Sequence, residues 1–293
     1  MAIWHLFFTI KKWKWGFDKN RKNYKKIIYL NQNPPFPSYI CRMENAKELS
    51  KLLNLEKIEE NIFRGNNYQA PWGSVFGGQV LAQALHAAYQ TVPDDRFAHS
   101  MHAYFILRGD ISQPIIYDVD RIRDGGSFTT RRVVAIQKGR PIFNFSASFQ
   151  LKQEGFDHQM EMPKVPDPET LLTDQELAAT WEGKIPETFS RYRTERPIEF
   201  RPVEKIHPFA QEANRPFRHV WFKAKGKMSD SVALHQTFLA YASDYNLLGT
   251  ALLPHRQDIK YGEIQLASLD HGMWFHREFR MDEWLLYALD SPS

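Results

Sequence analysis

Between residues 43 and 150 the spacing of apolar side chains changes from a helical to a strand period. In "MENAKELSKLLNLEKIEENIFRG", Leu49, Leu52, Leu53 and Ile58 recur at helical intervals and predict a helix over 46–60. A second helix is predicted for "SVFGGQVLAQALHAAYQTV", Ser74–Val92. Its alanines Ala82, Ala84, Ala87 and Ala88 leave room for another element to approach the backbone. Four strands are expected next, at His99–Ile106, Pro114–Asp124, Ser127–Gln137 and Pro141–Gln150, separated by turns. In the last of them Phe143, Phe145, Ala147 and Phe149 alternate with Asn144, Ser146, Ser148 and Gln150, so one face is buried and the other is polar.

Residues 155–195 read as a connector punctuated by Pro163, Pro166, Pro168 and Pro186, with a short helix around Pro168–Trp181. Then the order of elements returns. "RHVWFKAKG" has the character of a strand, and Ser231–Leu253 that of a helix with the stripe Leu234, Phe238, Tyr241, Tyr245 and Leu248. A shift of 170 positions lays Tyr104 on Trp274, Phe105 on Phe275, Ile115 on Leu285, Ile116 on Leu286 and Tyr117 on Tyr287, without a gap. The chain therefore reads as an internal repeat of a helix-plus-antiparallel-sheet unit. The expected division is a basic leader at 1–42 without fixed structure, a first unit at 43–155, a linker at 156–195 and a second unit at 196–293. In the first unit two more strands follow Tyr117. Counterparts would fall past Ser293, so the second unit is expected to be C-terminally incomplete, with an unpaired strand edge.

Composition changes this picture in only one place. With 43% hydrophobic and 25% charged residues the chain has an ordinary globular make-up. No apolar run reaches the roughly 18 residues of a membrane span. The formal charge of +4 conceals a division: residues 1–42 carry nine basic side chains against Asp18, and the body is left mildly acidic. The basic pI of 8.9 is thus a property of the leader and no argument for a nucleic-acid partner. Cys41 is the single cysteine, which excludes a disulfide framework, a cysteine-rich zinc site and a cysteine nucleophile in the body, and suits a reducing, cytoplasmic setting.

GxSxG, HExxH and GxxxxGK motifs are all absent. Asp244 stands out instead. On a continuous helix it would lie within about 60° of Tyr241 and about 40° of Leu248, beside the buried stripe. A locally hydrogen-bonded aspartate fits that position, and so does a general base whose pKa is raised by partial burial. Ser268, a hydroxyl entering an aromatic strand, reads either as a structural residue or as one that positions water. Gly77 and Gly78 lie where the second helix begins and backbone N–H groups lack partners.

"VFGGQVLAQAL", "RDGGSFTTRRVVAIQ", "YASDYNLLGTAL" and "LASLDHGMWFHR", together and in this order, resemble the acyl-CoA thioesterase II family over about Met43 to Ser293. The resemblance implies an α+β fold, the double hot-dog, in which a long helix is wrapped by a curved antiparallel sheet and the unit is repeated. It implies hydrolysis of fatty acyl-CoA thioesters by a water activated by Asp244 and oriented by Ser268, where many relatives carry Thr. The family's third catalytic residue, a Gln of the final strand, has no counterpart here. Backbone N–H groups near Gly77, Gly78 and Gln79 would be placed to meet the oxyanion, and Arg131 and Arg132 to meet CoA phosphates. No metal or cofactor is implied, the partner is the acyl-CoA substrate, and a homo-oligomer (dimer or dimer of dimers) is expected. Two alternatives stay open. One is an inactive thioesterase-like protein that only binds acyl-CoA. The other, a hot-dog hydratase, is disfavoured because Gly249 stands where "DYNLLG" would need a catalytic His.

Overall fold

The computed structural model describes residues 4–5, 43–70, 73–181, 195–207, 210–259 and 266–292. Of the leader only β1 (Trp4–His5) falls within these; the expectation for the rest of 1–42, and for the linker at 182–194, lies outside the described residues.

α1 (Ala46–Leu53) begins at Asn45, whose side chain accepts the N–H of Glu48, and buries Leu49, Leu52 and Leu53. It stops seven residues short of the predicted end. Asn54 is extended, and the following "EKIE" forms β2 (Glu56–Glu59), paired with β3 (Ile62–Gly65). Ile58, expected on the helix's apolar side, is 49% exposed on that strand. α2 (Gly77–Tyr89) runs through the core and is buried at nearly every position, because a sheet wraps one side and a second helix lies against the other. The wrapping strands are β4 (Arg96–Phe105), β5 (Ile115–Asp124), β6 (Phe128–Gln137) and β7 (Arg140–Leu151), all antiparallel. The alternation read in the sequence holds, with Phe143, Phe145, Ala147 and Phe149 all buried. After a 3-10 turn at Pro168–Thr170 comes α3 (Asp174–Ala179), whose Thr173 and Glu176 form a reciprocal capping box.

The second unit supplies β8 (Ile198–Pro202), β9 (Phe217–Ala224), α4 (Val232–Ser243), α5 (Leu247–Ala251), β10 (Asp270–Trp274) and β11 (Leu285–Asp290). The predicted helix at Ser231–Leu253 is broken: α4 ends at Asp244, and Asn246 takes the left-handed conformation (φ 68°) before α5 begins.

β10 joins the first unit's sheet by pairing with β4, Asp270 opposite Tyr104, Gly272 opposite His102 and Trp274 opposite Ser100. A two-fold axis through the His102–Gly272 pair carries each β4 residue onto the residue 170 further on, which is the offset of the sequence repeat. The sheet order is β1-β10-β4-β7-β6-β5-β3-β2, and β11-β9-β8 form a second sheet. That smaller sheet reproduces β5-β3-β2: Leu285 pairs with Phe222 as Ile115 pairs with Gly65. Phe222 is 157 residues after Gly65, not 170, so the repeat has two offsets. The 13 residues between them are inserted after α4 and include α5. On its far side β5 pairs with β6, whereas β11 has no second strand partner among the described residues.

Candidate active site

α2 has an unusual beginning. Its N-cap is Phe76, which offers no side-chain acceptor to the orphan amides of the first turn. The acceptor comes from the other unit. Asp244, at the C-cap of α4, takes the Gly78 N–H on Oδ2 at 3.0 Å, so the positive end of one helix faces a carboxylate carried by the end of the other. The two glycines permit this approach. A Cβ at Gly77 would lie 2.6 Å from Asp244 Oδ2 and 3.0 Å from the Phe105 ring, and one at Gly78 would overlap the Tyr241 carbonyl oxygen.

Ser268 Oγ donates to the second carboxylate oxygen, Oδ1, at 3.4 Å. Aromatic rings crowd this end of α2 and desolvate the Asp244 carboxyl: the Phe105 ring lies beside Gly77, and Phe76 meets Tyr241 edge-on at 5.3 Å and Tyr245 at 4.6 Å between ring centroids. This desolvation pushes Asp244 up from the usual 3.8 to about 7, against the opposing pull of the Gly78 and Ser268 hydrogen bonds. The carboxyl therefore exchanges its proton near neutrality, which is the requirement for general base catalysis.

The structure brings Asp244, Ser268, Gly77 and Gly78 together and leaves the other expected residues elsewhere. Gln79 is 1% exposed, and its side chain accepts from the Tyr68 N–H and donates to Asn67 Oδ1 and the Asn66 carbonyl. Two of the three amides expected for an oxyanion are in use, Gly78's by Asp244 and Gln79's by the Phe76 carbonyl. Arg131 is 1% exposed, with its guanidinium bonded to Thr91, Asp124 and the carbonyls of Arg123 and Thr130, so it faces the core and not a CoA phosphate. Arg132 is exposed on the outer sheet face and paired with Asp120. Among the described residues no cluster of metal-binding side chains occurs, and no helix is long and apolar enough to cross a membrane.

The two-fold axis predicts a second such place, where the corresponding positions carry neither a carboxylate nor a hydroxyl. Applying the two offsets, Asp244 corresponds to Ala87 and Ser268 to Ala98. Both alanines are buried, and the backbone of Ala98 is held by Tyr89 Oη and Gln236 Nε2. Only the second unit's helix end carries the carboxylate and the hydroxyl.

Two helix-and-sheet units joined through one dyad-related strand pair define the double hot-dog class. A hot-dog protein of unknown function from Alicyclobacillus acidocaldarius shares this fold at 16% identity, with a TM-score of 0.60 over 78% of each chain. Residues 68–150 match the description "Acyl-CoA thioesterase N-terminal domain", and residues 188–293 match "Acyl-CoA thioesterase". The chain is 40% identical to acyl-CoA thioesterase 2 of Haemophilus influenzae over 84% of its length and 86% of that protein. It is 42% identical to acyl-coenzyme A thioesterase 8 of Mus musculus over 83% of its length and 79% of that protein. The crystal structure of acyl-CoA thioesterase II TesB2 from Mycobacterium marinum superposes with a TM-score of 0.67 at 39% identity, covering 84% of this chain and 86% of the other. The chain belongs to the acyl-CoA thioesterase family.

Proposed function

We propose that this chain hydrolyses fatty acyl-CoA thioesters to free fatty acid and CoA, with Asp244 as general base and Ser268 orienting the water. The observation that carries the reading is the Asp244 carboxylate held between the Gly78 amide and the Ser268 hydroxyl, where burial pushes it up to about 7. A thioester carbonyl is electrophilic enough to be attacked without a covalent enzyme intermediate. Water bonded to Asp244 adds to the carbonyl carbon and gives up a proton to the carboxylate. The tetrahedral intermediate then expels the CoA sulfur, which recovers that proton from Asp244. One water is consumed, and the base ends as it began. Ser268 directs its hydroxyl proton at Oδ1, so its oxygen lone pairs are open to accept from the attacking water and orient it toward the base.

The test is thiol release from palmitoyl-CoA. Wild-type protein is expected to release CoA above background, and Asp244→Asn to lower kcat at least about 100-fold with KM little changed. An unchanged rate in the variant removes Asp244 as base. Palmitoyl-CoA bound but not turned over by the wild-type chain supports the second reading, a protein that only binds acyl-CoA. Among the described residues β11 pairs with β9 alone, where its first-unit counterpart β5 pairs with both β3 and β6. The proposed setting is the cytoplasm, with a homo-oligomer as the working form; light scattering of the purified chain checks the latter.

A further inference from the structure

The end of α4 is held by groups from outside its own helix. The Ser243 carbonyl is one of the last four in α4 and has no helical N–H to accept. It accepts instead from Tyr287 Oη on β11 at 3.1 Å. The Ser243 hydroxyl donates to the Ala240 carbonyl at 2.8 Å and lies 3.1 Å from His271 Nε2 on β10. A hydroxyl has one proton, and this one is committed to Ala240, so the contact to His271 requires an Nε2–H donating to Oγ. Burial pushes His271 down to about 4, so the ring is neutral at working pH and its tautomer is fixed by this bond. Two buried side chains on different strands thus grip the residue immediately before Asp244.

The repeat shows that this grip belongs to the second unit alone. Tyr117, 170 residues before Tyr287 and equally enclosed, gives its hydroxyl to the Gln83 side chain at 2.7 Å and does not touch the end of α2. His271 corresponds to Met101, which cannot donate. Both contacts are made where the helix end carries a carboxylate, and neither is made where it carries Ala87.

We propose that Tyr287 and His271 are positioning residues that lock the last turn of α4 and so keep the Asp244 carboxylate on the Gly78 amide. This rests on the reading of Asp244 as base. The break after α4 makes the lock necessary. With Asn246 left-handed and the chain turning into α5, no continuing helix restrains Asp244. The groups around Asp244 are Tyr241 and Tyr245 from α4 and its exit, Ser268, His271, Tyr287, the first turn of α2, and Arg196, whose guanidinium stacks on Tyr245. Of these, only Tyr287 and His271 bond the residue that precedes the base.

The experiment compares Tyr287→Phe with Tyr117→Phe in the full chain, using palmitoyl-CoA kinetics and the titration of Asp244 followed by carboxyl 13C NMR, which needs no turnover. Both variants lose one buried hydroxyl. Tyr287→Phe is expected to lower kcat about tenfold or more with KM within a factor of two. It should also move the Asp244 midpoint and the acid limb of kcat downward, because a released carboxylate reaches water. Tyr117→Phe is expected to lower thermal stability and leave both the kcat and the midpoint in place. His271→Leu should repeat the Tyr287→Phe effect and His271→Gln, which keeps an N–H donor, should recover part of it; this pair carries the test should Tyr287→Phe not fold. Equal kcat and midpoint in the two tyrosine variants, or a His271 pair without effect, overturns the proposal. Loss of the base reading is separate: it would show as an unchanged rate in Asp244→Asn.

Discussion

Replacing Asp244 by Asn should make the protein more stable in alkaline solution while it stops the chemistry. The reasoning begins with the roughly three-unit rise of the carboxyl from 3.8 to about 7 on folding. At 1.36 kcal/mol per unit this is about 4 kcal/mol, an upper bound for a side chain that retains some solvent contact. Below pH 4 both folded and unfolded chains hold the proton, and Asp244 costs nothing. Between pH 4 and 7 the unfolded chain ionises first, so the folded state becomes less favourable as pH rises. Above pH 7 both states are ionised and the cost levels off. Asn does not ionise, and its side-chain oxygen can still accept the Gly78 N–H, so the variant escapes the cost and keeps the cap. The stability gap should therefore widen from about 1 kcal/mol at pH 4.5 to at most about 4 kcal/mol at pH 8. At roughly 2 °C per kcal/mol for a chain this long, the variant's thermal midpoint overtakes the wild type by several degrees. Thermal melts of both proteins at four pH values between 4.5 and 8 would measure it. A gap that does not vary with pH would mean that Asp244 titrates like any surface aspartate, and the enclosure argument would be refuted.

Ser268→Ala removes a hydrogen bond that stabilises the ionised carboxylate, so the acid limb of kcat/KM should move above pH 7 and kcat fall about tenfold; Ser268→Thr should restore both. Gly77→Ala puts a methyl 2.6 Å from Asp244 Oδ2, and kcat should drop more than tenfold in a folded protein, as judged by circular dichroism and steady-state kinetics. Arg131→Met should cost about 2–4 kcal/mol in urea unfolding, because Asp124 and the Thr91 carbonyl lose a buried partner, yet leave the KM for palmitoyl-CoA unchanged. A raised KM there would restore the phosphate-contact role.

The architecture was legible because both signals behind it are local. The two-residue alternation at Phe143–Gln150 fixes which face of β7 is inside, and the 170-residue echo is the same number that the β4–β10 register needs. Asp244 was legible through its place beside an apolar stripe, although the angles assumed a helix that in fact stops there. What the pattern lacked was the long-range part. β2 and β8 are short strands, and β2 has no buried side to give it away. The capping of α2 by a residue 166 positions later could only have been suspected from Phe76, an N-cap without a polar side chain. Arg131 is different, because its burial was written in the sequence. It has the same parity as Thr129, Val133 and Ala135 on β6, all inward, and the alternation outranks the tendency of arginines to lie outside.

The borrowed cap has a consequence for how such a molecule can arise and diversify. When the start of one unit's helix needs an acceptor supplied by its neighbour, neither unit can be separated from the other without losing chemistry, and a symmetric ancestor of two identical chains would have carried two equivalent reaction centres. Fusion into one polypeptide frees the copies to drift apart. Here one end of the helix pair carries the alanines Ala87 and Ala98 where the other carries Asp244 and Ser268, so the doubled scaffold presents a single candidate centre.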